Sequence, residues 1–238
     1  VEYYDRKVPT IWVKFPVRTL GKVQMVAKGM EHIAKLVLCS SIVIWTTTPW
    51  TIPANMAVAV HPRIDYSVVV AGAEKFIVAR DLVETFTSDT DLEDYSIEKD
   101  IRGEALDGLE SRHPFIDRAS PIILADYVTT ESGTGAVHTA PGHGLDDYQS
   151  GLKYGLDIYC PLDDHGKYVD DGQMPAELVG VSVLEKKGRS PANVAVLKLL
   201  EDSGKLLKFK KYNHSYPHCW RSKTPVIFRA MDQWFVAM

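Results

Sequence analysis

Short runs of β-branched and aromatic residues dominate the first 140 positions of the chain. They are bounded by Gly, Pro or Asp and are short, which predicts strands rather than helices. The predicted strands are Ile11–Phe15, Leu36–Thr46, Ala57–Val60, Tyr66–Ala71, Lys75–Val78 and Pro121–Val128. This spacing favours a barrel or a curled sheet over repeated βαβ units.

Helical periodicity is limited to a few segments, Arg80–Phe86, Asp146–Tyr154 and Ala192–Ser203. In the last of these, apolar residues recur every three positions, and Gly204 supplies the stop. The sequence therefore predicts a β-rich α+β fold in which a barrel-like β core carries peripheral helices.

The composition is that of an ordinary globular protein. The 238 residues are 45% hydrophobic and 24% charged, which excludes disordered, collagen-like and coiled-coil classes. All apolar runs are shorter than the roughly 18–20 residues that cross a bilayer, so no membrane partner is expected. Cys39, Cys160 and Cys219 form no C-x-x-C pair, which favours a reducing compartment. We therefore expect a cytoplasmic protein.

Charge is distributed unevenly along the chain. The formal net charge is −4, yet eleven Lys and Arg face only four Asp and Glu after residue 180. A basic end on an acidic body suits contact with a phosphate backbone along one edge. A solvated helix face and loop would explain the same pattern.

A first candidate site is the segment from Trp45 to Asn55, with the sequence W-T-T-T-P-W-T-I-P-A-N. An apolar strand runs into three threonines and must end at the prolines that follow. Such a turn can fix hydroxyls and freed N–H groups at the mouth of a pocket, with a Trp ring as a wall. An edge strand with its hydroxyls in water is the alternative.

A second candidate site is the segment 133–148, with the sequence G-T-G-A-V-H-T-A-P-G-H-G-L-D-D-Y. Glycine-rich backbone with convergent polar groups is typical of an active-site loop. Asp146 and Asp147 stand where a helix would begin, so either could instead be a cap. His138 and His143 could ligate a metal, but no H-E-x-x-H or cysteine pair supports a metal site. Ser132 lacks the first glycine of G-x-S-x-G, which argues against a serine nucleophile.

A third cluster has the sequence H-S-Y-P-H-C-W-R-S-K-T-P and begins at His214. Ser222 stands where a C-x-x-C pair would need its second cysteine, so a zinc site would be incomplete. A returning loop with aromatic packing is the simpler interpretation for Cys219.

In this order, the three motifs closely resemble the editing domain of isoleucyl-tRNA synthetase, the connective-peptide insertion in a class I Rossmann core. The resemblance covers nearly the whole chain. Leucyl and valyl relatives typically carry Thr-Thr-Arg-Pro at the first motif, and valyl enzymes typically have Lys at the position of His138. Thr48 and His138 therefore favour the isoleucyl member. The family fold, a β-barrel-like core with surrounding helices, agrees with the predicted strands.

The resemblance implies an activity, the hydrolysis of the ester of tRNA for isoleucine mischarged with valine. A missing methylene gives only limited discrimination in a binding pocket, a limit for which isoleucyl enzymes are themselves the known example. A second, smaller site that admits valine but not isoleucine is then expected to hydrolyse the mischarged ester. No residue is an obvious covalent nucleophile, so we expect a positioned water to attack the carbonyl. The sequence indicates no general base.

The resemblance also assigns roles to residues. Asp147 is expected to bind the α-ammonium of the aminoacyl group. The threonines Thr46, Thr47 and Thr48, together with Asn55, match positions around the scissile ester and the terminal adenosine. His138 is similar to the residue that excludes isoleucine, with Trp50 and Tyr216 as further wall. His143 matches a pocket-lining position that varies in the family. No metal is expected in the editing site.

The chain is expected to be one editing domain over 1–238, cut from a longer synthetase, since it starts at Val1 without an initiator Met. Segments of about 1–15 and 215–238 would connect it to the catalytic core. The expected partners are the 3′ end of tRNA for isoleucine carrying valine and the rest of the synthetase. ATP and Mg would serve the core, and no cofactor is expected here. A non-catalytic module that docks the tRNA 3′ end, or the editing domain of a valyl or leucyl relative, is the alternative.

Overall fold

The strands of the chain form one mixed sheet. The computed structural model describes residues 1–19, 36–185, 188–234 and 236. In these residues the strands are β1 Glu2–Thr19, β2 Ser41–Thr46, β3 Ala57–Val60, β4 Asp65–Ala71, β5 Glu74–Ala79, β6 Ser96–Arg102, β7 Glu110–Arg112, β8 Ala119–Leu124, β9 Ala136–Thr139 and β10 Leu206–His218. The order is β6-β4-β5-β2-β1-β7-β8-β3-β9, and β10 pairs with β1. Within the described chain this path does not close, because β6 and β9 lie at its two ends.

The long strand β1 organises the sheet. It pairs antiparallel with β2 over 11–16, with β10 along most of its length, and with β7 at its end. Alternate side chains of a strand face opposite sides of a sheet. Ile11, Val13 and Phe15 therefore enter one apolar core, whereas Trp12 enters a second, smaller core on the other side.

Helices lie around the sheet. Those with both ends in the described residues are α1 Val83–Thr90, α2 Leu145–Tyr154 and α3 Pro191–Asp202, with shorter 3-10 segments at Pro49–Ala54, Arg80–Leu82 and Gly103–Leu106. Helix α3 contributes Ala192, Val196 and Leu200 to the larger core, and α1 contributes Val83 and Phe86 to the smaller one. Among the residues described, no helix has the length and apolarity needed to cross a membrane.

The β-rich fold with peripheral helices is confirmed, and two predicted strands need correction. Residues 36–38 are helical, so only Ser41–Thr46 of the predicted strand Leu36–Thr46 is extended. The hydroxyl of Ser40 donates to the Leu36 carbonyl at 2.8 Å and closes a turn there. Strand β8 ends at Leu124, four residues before the predicted end at Val128, and Ala119 begins it.

The helix predictions agree with the structure to within a few residues, and several strands were not predicted. Helices α2 and α3 each begin one residue earlier than predicted. Arg80–Leu82 is a 3-10 turn that leads into α1. Strands β6, β7, β9 and β10 were missed, and the third motif is partly strand rather than a returning loop because β10 pairs with β1.

A candidate active site between two strand ends

The first two motifs and the chain after β10 meet around a cavity of about 310 Å³. Strand β2 ends at Thr46 and strand β9 ends at Thr139, so both strands deliver their following loops to the same place. The lining comprises Trp45, Thr46, Thr47, Thr48, Trp50, Thr51, Val137, His138, Ala140, His143, Asp147, His214, Tyr216, Pro217, Val226 and Phe228. The cavity is therefore built from all three motifs that the sequence singled out.

Two glycines of the second motif are required by space, and one of them, Gly135, also by backbone shape. Gly135 has a φ of 73°, and a Cβ added to it would lie 2.3 Å from Cβ of Ala79. A Cβ on Gly142 would lie 2.3 Å from the carbonyl oxygen of Tyr159. The glycines thus let the loop pass close to neighbouring backbone and bring His138 and His143 to the cavity.

The threonine run presents hydroxyls at the cavity wall. The Oγ1 of Thr46 accepts a hydrogen bond from the backbone N–H of Thr48 at 3.1 Å, which leaves its own hydroxyl proton available to a ligand. Thr46 is buried, while Thr47 and Thr48 are half-buried. Pro49 begins the 3-10 segment at the end of the run, as expected where a strand must stop.

His138 is held in one tautomer by Thr51. The hydroxyl of Thr51 donates to the Thr48 carbonyl at 2.8 Å, so its oxygen must accept from His138 Nε2, which lies 2.9 Å away. The Nδ1 of His138 is then a bare acceptor, and it is buried without a hydrogen-bond partner in the described part of the chain. Burial, with a smaller contribution from His143, lowers the pKa of His138 to about 4. His138 is therefore neutral at physiological pH.

His143 is also neutral and also offers an acceptor. Its Nδ1 lies 2.9 Å from the carbonyl oxygen of Phe228, so this nitrogen carries the proton. Its Nε2 is buried without a partner in the residues that the structure covers. Burial lowers the pKa of His143. The ring of Trp50 packs edge-to-face on His143 at a centroid distance of 5.1 Å.

Asp147 places a carboxylate in the cavity without capping its own helix. Gly144 is the N-cap residue of α2, and Oδ2 of Asp147 accepts instead from the backbone N–H of Ala140 at 2.9 Å. Burial raises the pKa of Asp147 to about 6. Asp146, the neighbouring candidate for a cap, is exposed. A carboxylate held in this way can bind a cation that enters the cavity.

Trp50 and Tyr216 also line the cavity. The backbone N–H of Trp50 donates to Oδ1 of Asn193 in α3 at 3.0 Å, and its carbonyl accepts from the hydroxyl of Tyr168. Trp50 is 6% exposed, so its ring is closely packed. Burial raises the pKa of Tyr216, and its hydroxyl lies near Thr48.

Asn55 does not line the cavity. It is fully buried, its Nδ2 donates to the Ala57 carbonyl at 2.7 Å, and its Oδ1 accepts from the hydroxyl of Ser120 at 2.6 Å. Its amide is therefore engaged in supporting the turn before β3. The structure brings the other predicted site residues together around the cavity.

Some cavity residues were missed by sequence reasoning. Thr51 lies inside the first motif, three residues after Thr48, and this spacing could have suggested that its hydroxyl bonds back to the Thr48 carbonyl. Val226 and Phe228 follow the third motif and carry no pattern that signals a site. Val226 and Phe228, expected within a connection to the catalytic core, thus also line the cavity.

The described residues contain no group of three or more His, Cys, Asp or Glu arranged to hold a metal ion. The cavity instead combines one carboxylate, two neutral imidazoles and several hydroxyls. Such a set can bind a cationic group, accept hydrogen bonds and stabilise a developing oxyanion.

Comparison with known proteins identifies the family. A family model described as the leucyl-tRNA synthetase editing domain matches residues 27–183, which is more than half of the chain. The chain belongs to this editing-domain family. The match includes the first two motifs and ends before the third.

Sequence relatives of this editing domain include isoleucine–tRNA ligases. Those of Nitratidesulfovibrio vulgaris (strain DP4) and Fervidobacterium nodosum are 50% and 45% identical to it over 238 residues. Each alignment covers all of this chain but only 24% or 23% of the relative. The chain thus spans about a quarter of the length of the curated relatives it matches. These findings confirm the resemblance to isoleucyl editing domains.

The fold has a counterpart among solved structures. The editing domain of the cytosolic leucyl-tRNA synthetase of P. knowlesi superposes with a TM-score of 0.53 at 14% identity, over 88% of this chain and 97% of that one. At this identity the likeness concerns the fold alone. It agrees with a β-rich editing domain whose sheet is not closed.

Proposed function

We propose that this editing domain hydrolyses the ester that joins valine to the tRNA for isoleucine. The observation that carries the proposal is the cavity that the Asp147 carboxylate lines together with two neutral histidines and the threonine run. The identity to isoleucine–tRNA ligases supports the choice of tRNA. The same cavity must then accept the valyl ester and exclude the isoleucyl ester.

Asp147 binds the α-ammonium of the aminoacyl group. The carboxylate must be ionised for this role, and its pKa of about 6 leaves it ionised at physiological pH. The Ala140 N–H holds one carboxylate oxygen at 2.9 Å and fixes the direction of the group. A charge-assisted hydrogen bond in a half-buried cavity is stronger than a neutral one.

His138 limits the size of the side chain that fits. Its ring is 8% exposed and is fixed through Nε2 by Thr51, so it cannot easily move aside. The extra methylene of isoleucine would meet this ring. Steric exclusion of this kind discriminates more strongly than the loss of a favourable contact, because overpacking forces neighbouring groups out of their preferred rotamers.

The threonine run contacts the ester and stabilises its hydrolysis. A water molecule attacks the carbonyl carbon, and the hydroxyl of Thr46, whose oxygen already accepts the Thr48 N–H, donates to the developing oxyanion. The bond from the acyl carbon to the ribose oxygen then breaks, the ribose oxygen takes one proton of the attacking water, and the valine carboxyl releases the other proton to solvent. His138, with its pKa of about 4, is too weak a base to accept the proton of the attacking water at neutral pH.

The partners and location follow from this function. The tRNA 3′ end and the rest of the synthetase chain contact the editing domain, and ATP and Mg serve the aminoacylation core alone. Three unpaired cysteines favour the cytoplasm as the site of action.

The direct test is a deacylation assay in oxygen-18-labelled water. Valyl-tRNA for isoleucine is incubated with the protein, and the released valine is analysed by mass spectrometry. Label in the valine carboxylate at a rate that depends on the protein supports water attack on the acyl carbon. Binding of the tRNA without release of valine would instead support a docking module.

A further inference from the structure

Three aromatic side chains form a shelf at the rim of the cavity. Trp45 lines the cavity and is half-buried, and Tyr212 on β10 packs edge-to-face against it at a centroid distance of 6.0 Å. Tyr212 is 51% exposed. We call Trp45, Tyr212 and His214 the aromatic shelf.

Register places the third ring of the shelf beside the first two. Tyr212 lies opposite Val8 and His214 lies opposite Arg6 in the antiparallel pair of β1 and β10. Residues two apart on a strand share a face, so Tyr212, His214 and the cavity residue Tyr216 form one row. The row runs from open solvent into the cavity, because His214 is exposed and Tyr216 is half-buried.

The shelf is held in place by packing rather than left mobile on a loop. Tyr212 and His214 stand in the middle of a 13-residue strand. Trp45 is the penultimate residue of β2, and a Cβ added to Gly133 would lie 3.2 Å from its ring. Exposed rings on such a rigid support are ready to stack with a flat ligand without a large loss of conformational freedom.

The position of the shelf at the rim of the cavity indicates what lies on it. Under the proposed function the terminal nucleoside and its amino acid occupy the cavity, so the nucleotide before it passes the rim where the shelf lies. The shelf is continuous with the cavity, because Trp45 and His214 belong to both. Aromatic rings on which bases stack are a means by which proteins hold single-stranded nucleic acid.

We infer that the aromatic shelf binds, by stacking, the base of the nucleotide that precedes the terminal adenosine of tRNA. The inference rests on the proposed function, because it assumes that the terminal nucleoside and its amino acid fill the cavity. It adds a binding subsite for a base at the rim, whereas the cavity itself recognises the amino acid. The subsite recognises a base by its flat face, so it is tolerant of sequence.

The test compares two substrates and one pair of variants. Valyl-tRNA carries the preceding nucleotide, whereas valyl-adenosine ends at the terminal nucleoside. Tyr212→Ala removes a ring of the shelf, and Tyr212→Phe retains it. Tyr3→Ala is the matched control, since Tyr3 is an exposed aromatic on the opposite face of the same strand pair.

We expect Tyr212→Ala to lower kcat/KM for valyl-tRNA about tenfold and to leave kcat/KM for valyl-adenosine within about twofold of wild type. Tyr212→Phe should retain the wild-type ratio of the two kcat/KM values. Tyr3→Ala should change neither substrate. An equal loss on both substrates, or no loss on either, would overturn the inference.

A binding measurement separates this inference from the proposed function. The affinity of the protein for the trinucleotide cytidylyl-cytidylyl-adenosine and for adenosine alone is measured with no ester present. A tenfold weaker affinity of Tyr212→Ala for the trinucleotide alone supports the shelf even if no valine is released. Unchanged trinucleotide affinity in Tyr212→Ala contradicts the shelf, whatever the hydrolysis assay gives.

Discussion

The hydroxyl of Thr51 connects the first motif to the second, because its oxygen lies 2.9 Å from Nε2 of His138. Since the same hydroxyl donates to the Thr48 carbonyl, the contact fixes both the tautomer and the orientation of the histidine ring. The residue that we propose to limit side-chain size is thus held by the loop whose threonines we propose to contact the ester. In the proposed mechanism, the residues for specificity and for hydrolysis are therefore joined by hydrogen bonds.

Replacing Asp147 with Asn should abolish deacylation of valyl-tRNA while preserving the fold. The amide can still accept from the Ala140 N–H, but it cannot form an ion pair with the substrate ammonium. The loss of transition-state stabilisation should be about 2–4 kcal/mol. Asp146→Asn is the matched control, because Asp146 is exposed beside it. Near wild-type kcat/KM in Asp147→Asn would remove this carboxylate from the site.

The rate should depend on the ionisation of Asp147. Its pKa of about 6 lies above the usual value for Asp because of burial, so kcat/KM for valyl-tRNA should rise as the pH increases towards about 6 and then level off. The titration of His138 contributes nothing in this range, since its pKa is about 4. A profile without a rise between about pH 5 and pH 7 would contradict the role of Asp147.

The raised pKa of Asp147 also predicts how Asp147→Asn changes the free energy of unfolding. The predicted change is opposite in sign to the change expected if Asp147 were a helix cap. A carboxyl whose folded pKa is raised contributes stability below its unfolded pKa, and this contribution is lost as the pH rises through about 6. Asp147→Asn should therefore be at least as stable as wild type at about pH 8, measured by urea unfolding. If Asp147 were mainly a cap, the variant would be about 1 kcal/mol less stable.

The fold was more predictable than its strand pairing. Strands with β-branched runs, such as Ala57–Val60 and Tyr66–Ala71, were predicted because local composition favours them. Strand β10 was missed because its lysines and polar residues look like a solvated segment, and only the long partner β1 makes it a strand. Long-range pairing of this kind leaves little local signal.

The candidate site was predictable where motifs are local. The threonine run, His138, His143 and Asp147 lie in two short segments whose composition already indicates a pocket. The role of Phe228 depends on a backbone carbonyl that meets His143 from 85 residues away, which no local pattern encodes. Asn55 illustrates the converse, because its motif position suggested substrate contact while its amide is used by Ala57 and Ser120.

Removing the hydroxyl of Thr51 should loosen His138. Thr51→Val keeps the shape of the side chain but leaves the buried Nε2–H of His138 without an acceptor, which costs about 1–3 kcal/mol of stability. The ring can then shift, so discrimination against isoleucyl-tRNA should weaken. Thr51→Ser, which retains the hydroxyl, should retain discrimination. Unchanged stability and discrimination in Thr51→Val would show that this hydrogen bond does not position the ring.

Replacing His138 with Ala should open room for one methylene. The variant should hydrolyse isoleucyl-tRNA while retaining much of its activity on valyl-tRNA, because a methylene in a pocket is worth only about 1–3 kcal/mol once the clash is gone, a range for which isoleucyl enzymes are the known example. Loss of both activities in equal measure would identify His138 as a catalytic or core residue and contradict the steric explanation.

The central claim is that this domain removes valine, and not isoleucine, from the tRNA for isoleucine. The most direct measurement compares initial rates of deacylation of valyl-tRNA and isoleucyl-tRNA at equal concentration with the same protein. We predict release of valine at least about tenfold faster than release of isoleucine, which corresponds to about 1.4 kcal/mol of discrimination. Equal rates for the two esters, or no release above the uncatalysed rate for either, would contradict the account.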